Sequence, residues 1–333
     1  MPNKYLSSYT LPWPTDWSQI LGQARPLILE IGFGNGDHLI ALAQHFSNHN
    51  VIGLEISNKS LEKADKKIRT HQLANACVVN ARGETALHHL FAPQSLEQVH
   101  INYPDPWFKA RHSGRRLMQR DTLDAIVSRL KPDGLLYLAT DIRDYAEMSH
   151  DLLSATPGLD NTLDAPWVHH LPQRLITTKY EQKGLREGRP GHYFVYRRNQ
   201  QPAPHVPLLK ELEMPHVILQ TPLDAPSMLA RFEKFSQRTG EGIHVSVIAA
   251  YMGQRYDRLM FEVNIEEPWI DQHIGLMLTE EGEKKPNEYT LRYQTMGHPR
   301  PTLGLHHATR LVADWVVSLH PDARIIDRRL RSD

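Results

Sequence analysis

The chain has 333 residues, of which 40% are hydrophobic and 23% charged, a composition typical of a globular protein with about two domains. The 38 Lys and Arg residues balance 38 Asp and Glu residues, so the total charge argues weakly against a nucleic-acid binder, although a local basic patch could still bind phosphates. No apolar run reaches the roughly 18 residues that a membrane helix needs. Cys77 is the only cysteine, which excludes an internal disulfide and a thiolate metal cluster. We therefore expect a cytoplasmic protein without a metal.

Strand and helix patterns alternate through the first 200 residues. Short apolar strands separated by helices are typical of βαβ units, and they predict a parallel sheet that is covered on both faces. The predicted strands are 27–31, 51–55, 76–79, 99–102 and 135–139, and the predicted helices are 37–46 and 59–71. Such sheets bind ligands at the carboxyl ends of their strands, so the candidate site residues are those that directly follow each strand.

A polar, proline-bearing stretch divides the chain, and it predicts a first domain at 1–199, a linker at 200–206 and a second domain at 207–333. In the second domain, consecutive strands with helices towards both ends indicate an α+β fold with a mostly antiparallel sheet. Its strands are predicted at 216–220, 243–251, 259–265, 273–278 and 289–295, and its helices at 227–237 and 305–320.

A glycine-rich turn follows the first predicted strand, which includes Glu30. Gly32, Gly34 and Gly36 have the spacing G-x-G-x-G, and glycines at such a turn let the backbone approach a ligand closely. Asp37 stands where a dinucleotide-binding fingerprint has its last glycine, and its carboxylate would repel a pyrophosphate. The turn therefore favours S-adenosylmethionine, a cationic cofactor without phosphate, over a dinucleotide.

Glu55 ends the second predicted strand, 25 residues after Glu30. In α/β folds that bind nucleosides, an acid at this position accepts hydrogen bonds from ribose hydroxyls. The alternative is a glycine turn that only caps a helix, with an incidental surface glutamate. Because both acids lie at strand ends, we favour a nucleoside-type ligand.

The segment after the fourth predicted strand combines a carboxylate, an aromatic ring and several cations. Pro104 and Pro106 restrict the backbone on both sides of Asp105, so this carboxylate is held rigidly at the ligand edge. Trp107 offers a flat face on which a base can stack. The cations that follow, which can contact phosphates, are Lys109, Arg111, Arg115 and Arg116. The alternative is a rigid loop before a solvated basic helix.

The segment from Asn102 to Arg116 resembles the signature N-F-P-D-P-W-x-K-x-R-H-x-x-R-R of the bacterial tRNA (guanine-N7-)-methyltransferases. The resemblance extends to Glu30–Gly34, Ala139–Asp141 and Thr178–Glu181, and it covers roughly residues 25–198. It implies an α/β fold with a Rossmann-like methyltransferase sheet and helices on both faces, to which this chain adds its C-terminal α+β domain. It also implies S-adenosylmethionine as the methyl donor and a guanine of the tRNA variable loop, position 46, as the acceptor.

The resemblance implies a role for individual residues. The positions that match donor-binding residues are Glu30, Gly32, Gly34, Glu55 and Asp105, and we expect Asp105 to be catalytic as well. The positions that match tRNA-binding residues are Lys109, Asp141, Thr178, Lys179, Tyr180 and Glu181, with Arg111, Arg115 and Arg116 as phosphate anchors. A further donor contact follows the third strand, where we favour Glu84 and keep Asn80 and Arg82 open.

Guanine N7 has a lone pair and no proton, so methyl transfer needs alignment rather than a general base. We expect Asp141 or Glu181 to accept hydrogen bonds from the guanine N1–H and N2–H₂ groups. Two alternatives stay open: a methyltransferase for another RNA or a small molecule, and a non-catalytic tRNA-binding protein. We expect a monomer or a homodimer. The second domain, with basic residues at its end and with Tyr289 and Tyr293, is predicted to extend the tRNA contact or to mediate subunit contact.

Overall fold

The computed structural model describes residues 4–107, 116–254, 257–282 and 285–331. The chain divides into two compact units, residues 1–209 and 210–333. The first unit extends beyond the linker predicted at 200–206, because Arg129 donates a hydrogen bond to the Pro207 carbonyl and the Leu209 N–H donates to the His88 carbonyl. The second unit therefore begins at Lys210 rather than at residue 207.

The first unit contains all the strands and helices that the sequence predicts for it, and several short elements besides. In chain order these elements are β1 (Tyr5–Ser7), α1 (Trp17–Leu21), β2 (Leu27–Ile31), α2 (Asp37–His45), β3 (Asn50–Glu55), α3 (Asn58–Thr70), β4 (Ala76–Asn80), α4 (Gly83–His89), β5 (Leu96–Asn102), α5 (Arg120–Arg129), β6 (Leu130–Thr140), α6 (Arg143–Ser154), β7 (Leu159–Asn161), α7 (Lys179–Arg186) and β8 (His192–Arg198).

The sheet of the first unit is mixed: the five strands predicted from the sequence pair in parallel, as expected, and the unpredicted β8 adds antiparallel pairs. Its strand order is β1-β4-β3-β2-β5-β6-β8-β7, and β1 to β6 pair in parallel. β8 runs antiparallel to β6, with His192 opposite Thr140. No crossover precedes β8, since the chain enters this strand directly from α7 at the carboxyl end of β6. This topology keeps α7 at the edge of the sheet where ligands bind.

Helices cover both faces of this sheet, as the sequence predicts. Ile28 of β2 is fully buried in an apolar cluster with residues of α2 and α3. Ile31 of the same strand points to the opposite face, because side chains alternate along a strand. There it contacts α4 so closely that a Cβ placed on Gly83 would overlap Ile31 Cγ2. Cys77 is buried within β4, and burial raises the pKa of its thiol to about 12.

The second unit is an antiparallel sheet with helices, as predicted. Its elements are β9 (His216–Gln220), α8 (Ala225–Leu229), β10 (Phe235–Arg238), β11 (His244–Met252), β12 (Arg258–Glu267), β13 (Ile270–Glu280), β14 (Glu288–Tyr293), α9 (Leu303–Ser318) and β15 (Arg324–Arg329). The strand order is β10-β11-β12-β13-β14-β9-β15. Its core lies between the sheet and α9, and the Tyr289 ring, 2% exposed, belongs to that core, so it cannot stack on a base.

The prediction of a helix at 227–237 is wrong. α8 ends at Leu229, and Phe235–Arg238 forms a strand that pairs with β11. The Phe235 ring stacks against Trp315 of α9 with 5.8 Å between the ring centroids. Packing against a distant helix thus overrides the local helical pattern, which is a common way for tertiary contacts to decide structure.

Candidate active site

Glu30 is a buried carboxylate with unused hydrogen-bonding capacity. It lies in β2, next to the carboxyl end of the strand, and is 1% exposed. Its Oε1 lies 3.2 Å from His38 Nδ1 and accepts a hydrogen bond from Asn102 Nδ2 over 3.2 Å. Its Oε2 is buried without a partner among the residues that the structure describes. A buried oxygen in this state costs free energy, so a ligand that donates a hydrogen bond, such as an ammonium group, fits it.

The glycine turn joins Glu30 to Glu55. Gly32 and Gly34 have φ angles of 72° and 58°, a left-handed backbone that favours glycine. The Gly34 N–H donates to Glu55 Oε2 over 3.1 Å, and the N–H groups of Ile56 and Ser57 donate to Glu55 Oε1. These bonds hold the half-buried Glu55 carboxylate beside the turn, where an acid that binds ribose is expected.

The charge of Asp37 is a weaker argument against a dinucleotide than the sequence suggests. Its carboxylate forms an ion pair with Lys67 of α3. Lys67 also donates to the Asn35 carbonyl over 2.8 Å. Because a cation offsets the negative charge of Asp37, repulsion of a pyrophosphate cannot by itself decide which cofactor binds.

The first turn of α4 lies beside the end of β2, through the contact between Gly83 and Ile31. Glu84 follows Gly83 and is half-buried. Of the two alternatives, Arg82 is exposed and Asn80 donates to Asn58 Oδ1 over 3.0 Å. Glu84 therefore stays our prediction for the third donor contact.

The loop that carries Asp105 has an unusual backbone. Tyr103 and Trp107, on either side of Asp105, have φ angles of 53° and 42°, which side chains rarely adopt and which cost free energy. Asp105 itself is exposed. Arg116 donates to the Pro106 carbonyl over 2.9 Å and to the Trp107 carbonyl over 3.3 Å. The Arg116 guanidinium therefore holds the loop, a task that the sequence does not indicate.

The other predicted cations of this segment, Lys109, Arg111 and Arg115, lie outside the described residues. Their role as phosphate contacts stays a prediction.

The predicted tRNA-binding segment is the start of α7. Thr178 is the N-cap and forms a capping box with Glu181, while Lys179 and Tyr180 are exposed. Glu181 is buried, and three donors reach its carboxylate: Tyr193 Oη at 2.6 Å, Arg174 Nε at 2.8 Å and the Thr178 N–H at 3.2 Å.

Asp141 follows β6 and faces the same helix, α7. Its Oδ2 accepts a hydrogen bond from Arg189 Nε over 2.8 Å. A Cβ placed on Gly184 of α7 would lie 2.8 Å from the same oxygen, so the helix packs closely against this carboxylate. The structure thus brings Asp141 and α7 together, and their role in tRNA binding stays a prediction.

Sequence reasoning missed Arg174 and Tyr193, which hold Glu181, and His38, which contacts Glu30. The one sequence signal for these residues was the set of acids itself, since a buried carboxylate requires hydrogen-bond donors near it. The sequence does not show which donors fold back onto it.

A narrow cleft lies between the glycine turn and the start of α7, and Glu30, Gly32, Gly34 and Asn102 are among its walls. It measures only about 20 Å³. The Tyr180 side chain narrows this cleft. Its Cε2 lies so close to Gly34 that a Cβ placed on that glycine would be 3.6 Å away, in van der Waals contact. The Tyr180 side chain is 57% exposed, so it can turn away without disturbing buried packing.

A larger cavity of about 400 Å³ adjoins this cleft on the α2 face of the sheet. It shares His38 and Asn102 with the cleft, and Arg174 and Tyr193 lie in its wall. None of the acids assigned to the donor or to the guanine lines this cavity, so its size does not make it the reaction site.

Within the described ranges, no helix is long and apolar enough to cross a membrane. Over the same residues, no three His, Cys, Asp or Glu side chains are grouped as metal ligands.

Residues 24–193 match a family model described as putative methyltransferase. A tRNA (guanine-N(7)-)-methyltransferase of Paraburkholderia xenovorans (strain LB400) is 38% identical over 189 residues, which are 56% of this chain and 71% of that protein. The enzyme of the same name from Nitrosospira multiformis is 35% identical over 198 residues, which are 59% of this chain and 86% of that enzyme. Among solved structures, the 16S rRNA methyltransferase KamB aligns with a TM-score of 0.43 and 15% identity, over 55% of this chain and 92% of that one.

Proposed function

The chain belongs to the tRNA (guanine-N(7)-)-methyltransferase family, and we propose that it transfers a methyl group from S-adenosylmethionine to N7 of guanine 46 in the variable loop of tRNA. The observation that carries this proposal is the position of the matched acids. Glu30 lies near the carboxyl end of β2, and Asp105 and Asp141 follow β5 and β6, the next two parallel strands of the sheet; α7 lies at the same edge. A tRNA-modifying enzyme works where tRNA is processed, so we also propose a cytoplasmic location.

The residues at the glycine turn fit the donor. Glu30 Oε2, which has no partner in the described part of the chain, can accept a hydrogen bond from the ammonium group of the methionine part, and Glu55 can accept hydrogen bonds from the ribose hydroxyls. Gly32 and Gly34 leave the backbone open to close approach. S-adenosylmethionine supplies an electrophilic methyl group when it is bound. The protein therefore has to supply binding and alignment.

The acceptor needs to be oriented, because guanine N7 already carries its lone pair. We place the guanine edge at Asp141 rather than at Glu181. Asp141 uses Oδ2 for Arg189, and its Oδ1 can accept from N1–H and N2–H₂, whereas both oxygens of Glu181 already have donors. A carboxylate at this edge also stabilises the positive charge that methylation leaves on the purine.

Asp105 completes the proposed reaction site. Its loop follows β5, which lies between β2, the strand of the donor acid Glu30, and β6, the strand before the acceptor carboxylate. Because Arg116 clamps the loop through backbone carbonyls, the carboxylate keeps a defined position while exposed. We propose that Asp105 contacts the donor next to the reacting atoms.

The test is to incubate the full chain with methyl-labelled S-adenosylmethionine and an unmodified tRNA transcript, and then to map the labelled base. We expect 7-methylguanosine at position 46, none in a transcript with adenosine at that position, and at least about a 100-fold loss in Asp105→Asn. Label that survives ribonuclease treatment would favour a small acceptor. Binding of tRNA and donor without methyl transfer would favour the non-catalytic alternative.

A further inference from the structure

We infer that Arg174 is a positioning residue that couples binding of the donor to binding of tRNA. This inference rests on the proposed function. Its guanidinium has partners on both sides of the reaction site: Nη1 donates to Asn102 Oδ1 over 3.1 Å, and Nε donates to Glu181 Oε2 over 2.8 Å. Asn102 ends β5, and Glu181 lies in the first turn of α7.

The contacts form one continuous chain between two carboxylates. Asn102 uses its Nδ2 to donate to Glu30 Oε1 over 3.2 Å and its Oδ1 to accept from Arg174. Arg174 in turn holds Glu181, which caps α7 through the Thr178 N–H. The donor acid and the tRNA-binding helix are therefore joined through two side chains.

The Arg174 guanidinium is fixed by its surroundings. It is 12% exposed, and its Cζ lies 5.8 Å from the Tyr103 ring centroid and 5.0 Å from that of Tyr193. Two rings and two hydrogen-bond partners define one orientation of a planar, forked cation, which the single charged point of a lysine cannot reproduce. Since desolvation offsets much of the attraction in such a buried pair, its geometry matters more than its net contribution to stability.

The same segment closes the donor cleft. Tyr180 lies next to Glu181 in the chain and against Gly34, and the cleft measures about 20 Å³, whereas sites for ligands of drug-like size have roughly 300 Å³ or more. Donor entry therefore requires the Tyr180 side chain, in the first turn of α7, to turn away from Gly34. Since Arg174 ties that helix to Asn102 and Glu30, the position of the helix depends on the state of the donor acid. A coupling of this kind is reciprocal, so each ligand changes the affinity for the other by the same factor.

The experiment measures binding of S-adenosylhomocysteine to the full chain by calorimetry, with and without a saturating unmodified tRNA transcript. In the wild-type chain, we expect tRNA to tighten binding at least about five-fold. In Arg174→Met and in Arg174→Lys, the ratio of the dissociation constant without tRNA to that with tRNA falls towards one. The control is Arg25→Met, which removes an arginine that bonds to Gln23 and to the Ser47 carbonyl, away from the site.

A second variant breaks the chain of contacts at its other link. Asn102→Ala leaves the Arg174–Glu181 pair in place, and it should reduce the ratio as much as Arg174→Met, with no further loss in the double variant. In steady-state methylation with varied tRNA, Arg174→Lys should lower kcat by a larger factor than it raises the KM for tRNA.

The outcomes separate the two proposals. An unchanged ratio in Arg174→Met and Asn102→Ala, or a wild-type ratio of one, overturns the coupling while methylation of tRNA still supports the proposed function. A wild-type chain that does not bind S-adenosylhomocysteine contradicts the proposed function and the coupling together.

Discussion

The acids at the edge of the first sheet differ in how many donors the chain already provides to them. Glu30 keeps one buried oxygen without a partner among the described residues, whereas Glu181 receives three donors. Asp141 has one arginine partner, and Asp105 is exposed. Because a carboxylate can accept only about four hydrogen bonds, this difference separates acids that can receive a ligand from one that holds the structure.

Asp141→Ala should abolish methylation and leave S-adenosylhomocysteine binding nearly unchanged. The variant removes the proposed acceptor for the guanine edge and leaves Arg189 paired with Glu187, and neither Asp141 nor Arg189 touches the glycine turn in the described contacts. We expect a loss of at least about 100-fold in single-turnover rate, measured beside a calorimetric donor titration. Asp257→Ala, which removes an acid paired with Arg258 in the second unit, is the matched control. Full turnover in Asp141→Ala would remove this residue from the guanine contact.

Arg116→Met tests whether this arginine positions the loop or contacts phosphate. If it holds the carbonyls of Pro106 and Trp107, the rate at saturating tRNA should fall roughly ten- to 100-fold because Asp105 loses its defined position, with little change in KM. A phosphate contact would instead raise KM and reduce the salt slope by about one. Arg115→Met, a predicted phosphate contact outside the described residues, should show that second pattern.

At the scale of elements, α7 is the helix on which the site depends. It has only eight residues, from Lys179 to Arg186, so its first turn is a large part of it. The Thr178 hydroxyl accepts from the Glu181 N–H, and Glu181 accepts from the Thr178 N–H. This capping box orders the segment that the resemblance assigns to tRNA.

Thr178→Ala should destabilise the start of α7 by about 1 kcal/mol. We expect a several-fold higher KM for tRNA, with a smaller change in donor affinity, because fraying moves Tyr180 and Glu181 away from their positions. Steady-state kinetics with varied tRNA measures this. Asp224→Ala, which removes the cap of α8 in the second unit, should destabilise that helix similarly without changing KM. Equal KM values for both variants would contradict a role for the α7 cap.

The sequence predicts elements best where an apolar run is bounded by turn residues, as in 27–31 or 216–220, because burial of their own apolar residues stabilises such strands. It fails at 227–237, where Phe235 packs against the distant Trp315. It also leaves the antiparallel β8 unassigned, so the mixed sheet was not foreseen.

Some residues of the candidate site could be predicted from the sequence, and others could not. Residues at or just after the ends of predicted strands, such as Glu30 and Asp141, could be located from the sequence, because the topology brings strand ends to one edge. Arg174 could not, because its partners Asn102 and Glu181 are 72 and seven residues away and no periodic pattern joins them.

At the scale of the whole molecule, the two units have separate apolar cores, so each should respond to its own ionisable groups. In the first unit, burial lowers the pKa of His88 from 6.5 to about 4, with a smaller contribution from the nearby Arg129 cation. The unfolded chain takes up a proton near pH 6.5, whereas the folded unit does so only near pH 4. The stability that His88 contributes is therefore present above pH 6.5 and is lost as the pH falls towards 4.

His88→Gln should make the unfolding free energy of the first unit less dependent on pH between 6.5 and 4. The wild-type slope should be steeper by up to about 1.4 kcal/mol per pH unit, the value for one proton. Urea unfolding at pH 7, 6 and 5 measures it. His71→Gln, at an exposed position, should keep the wild-type slope. Parallel slopes for wild type and His88→Gln would contradict this assignment.

The buried thiol of β4 makes the chain its own unfolding reporter. Cys77 is the only cysteine, and burial raises its pKa to about 12, so a thiol-specific dye in neutral buffer should leave the native protein unlabelled. Labelling then times the opening of the first sheet alone, whatever the second sheet does. Moreover, a fluorophore attached to a cysteine introduced at the surface of either unit would carry no background from the native sequence.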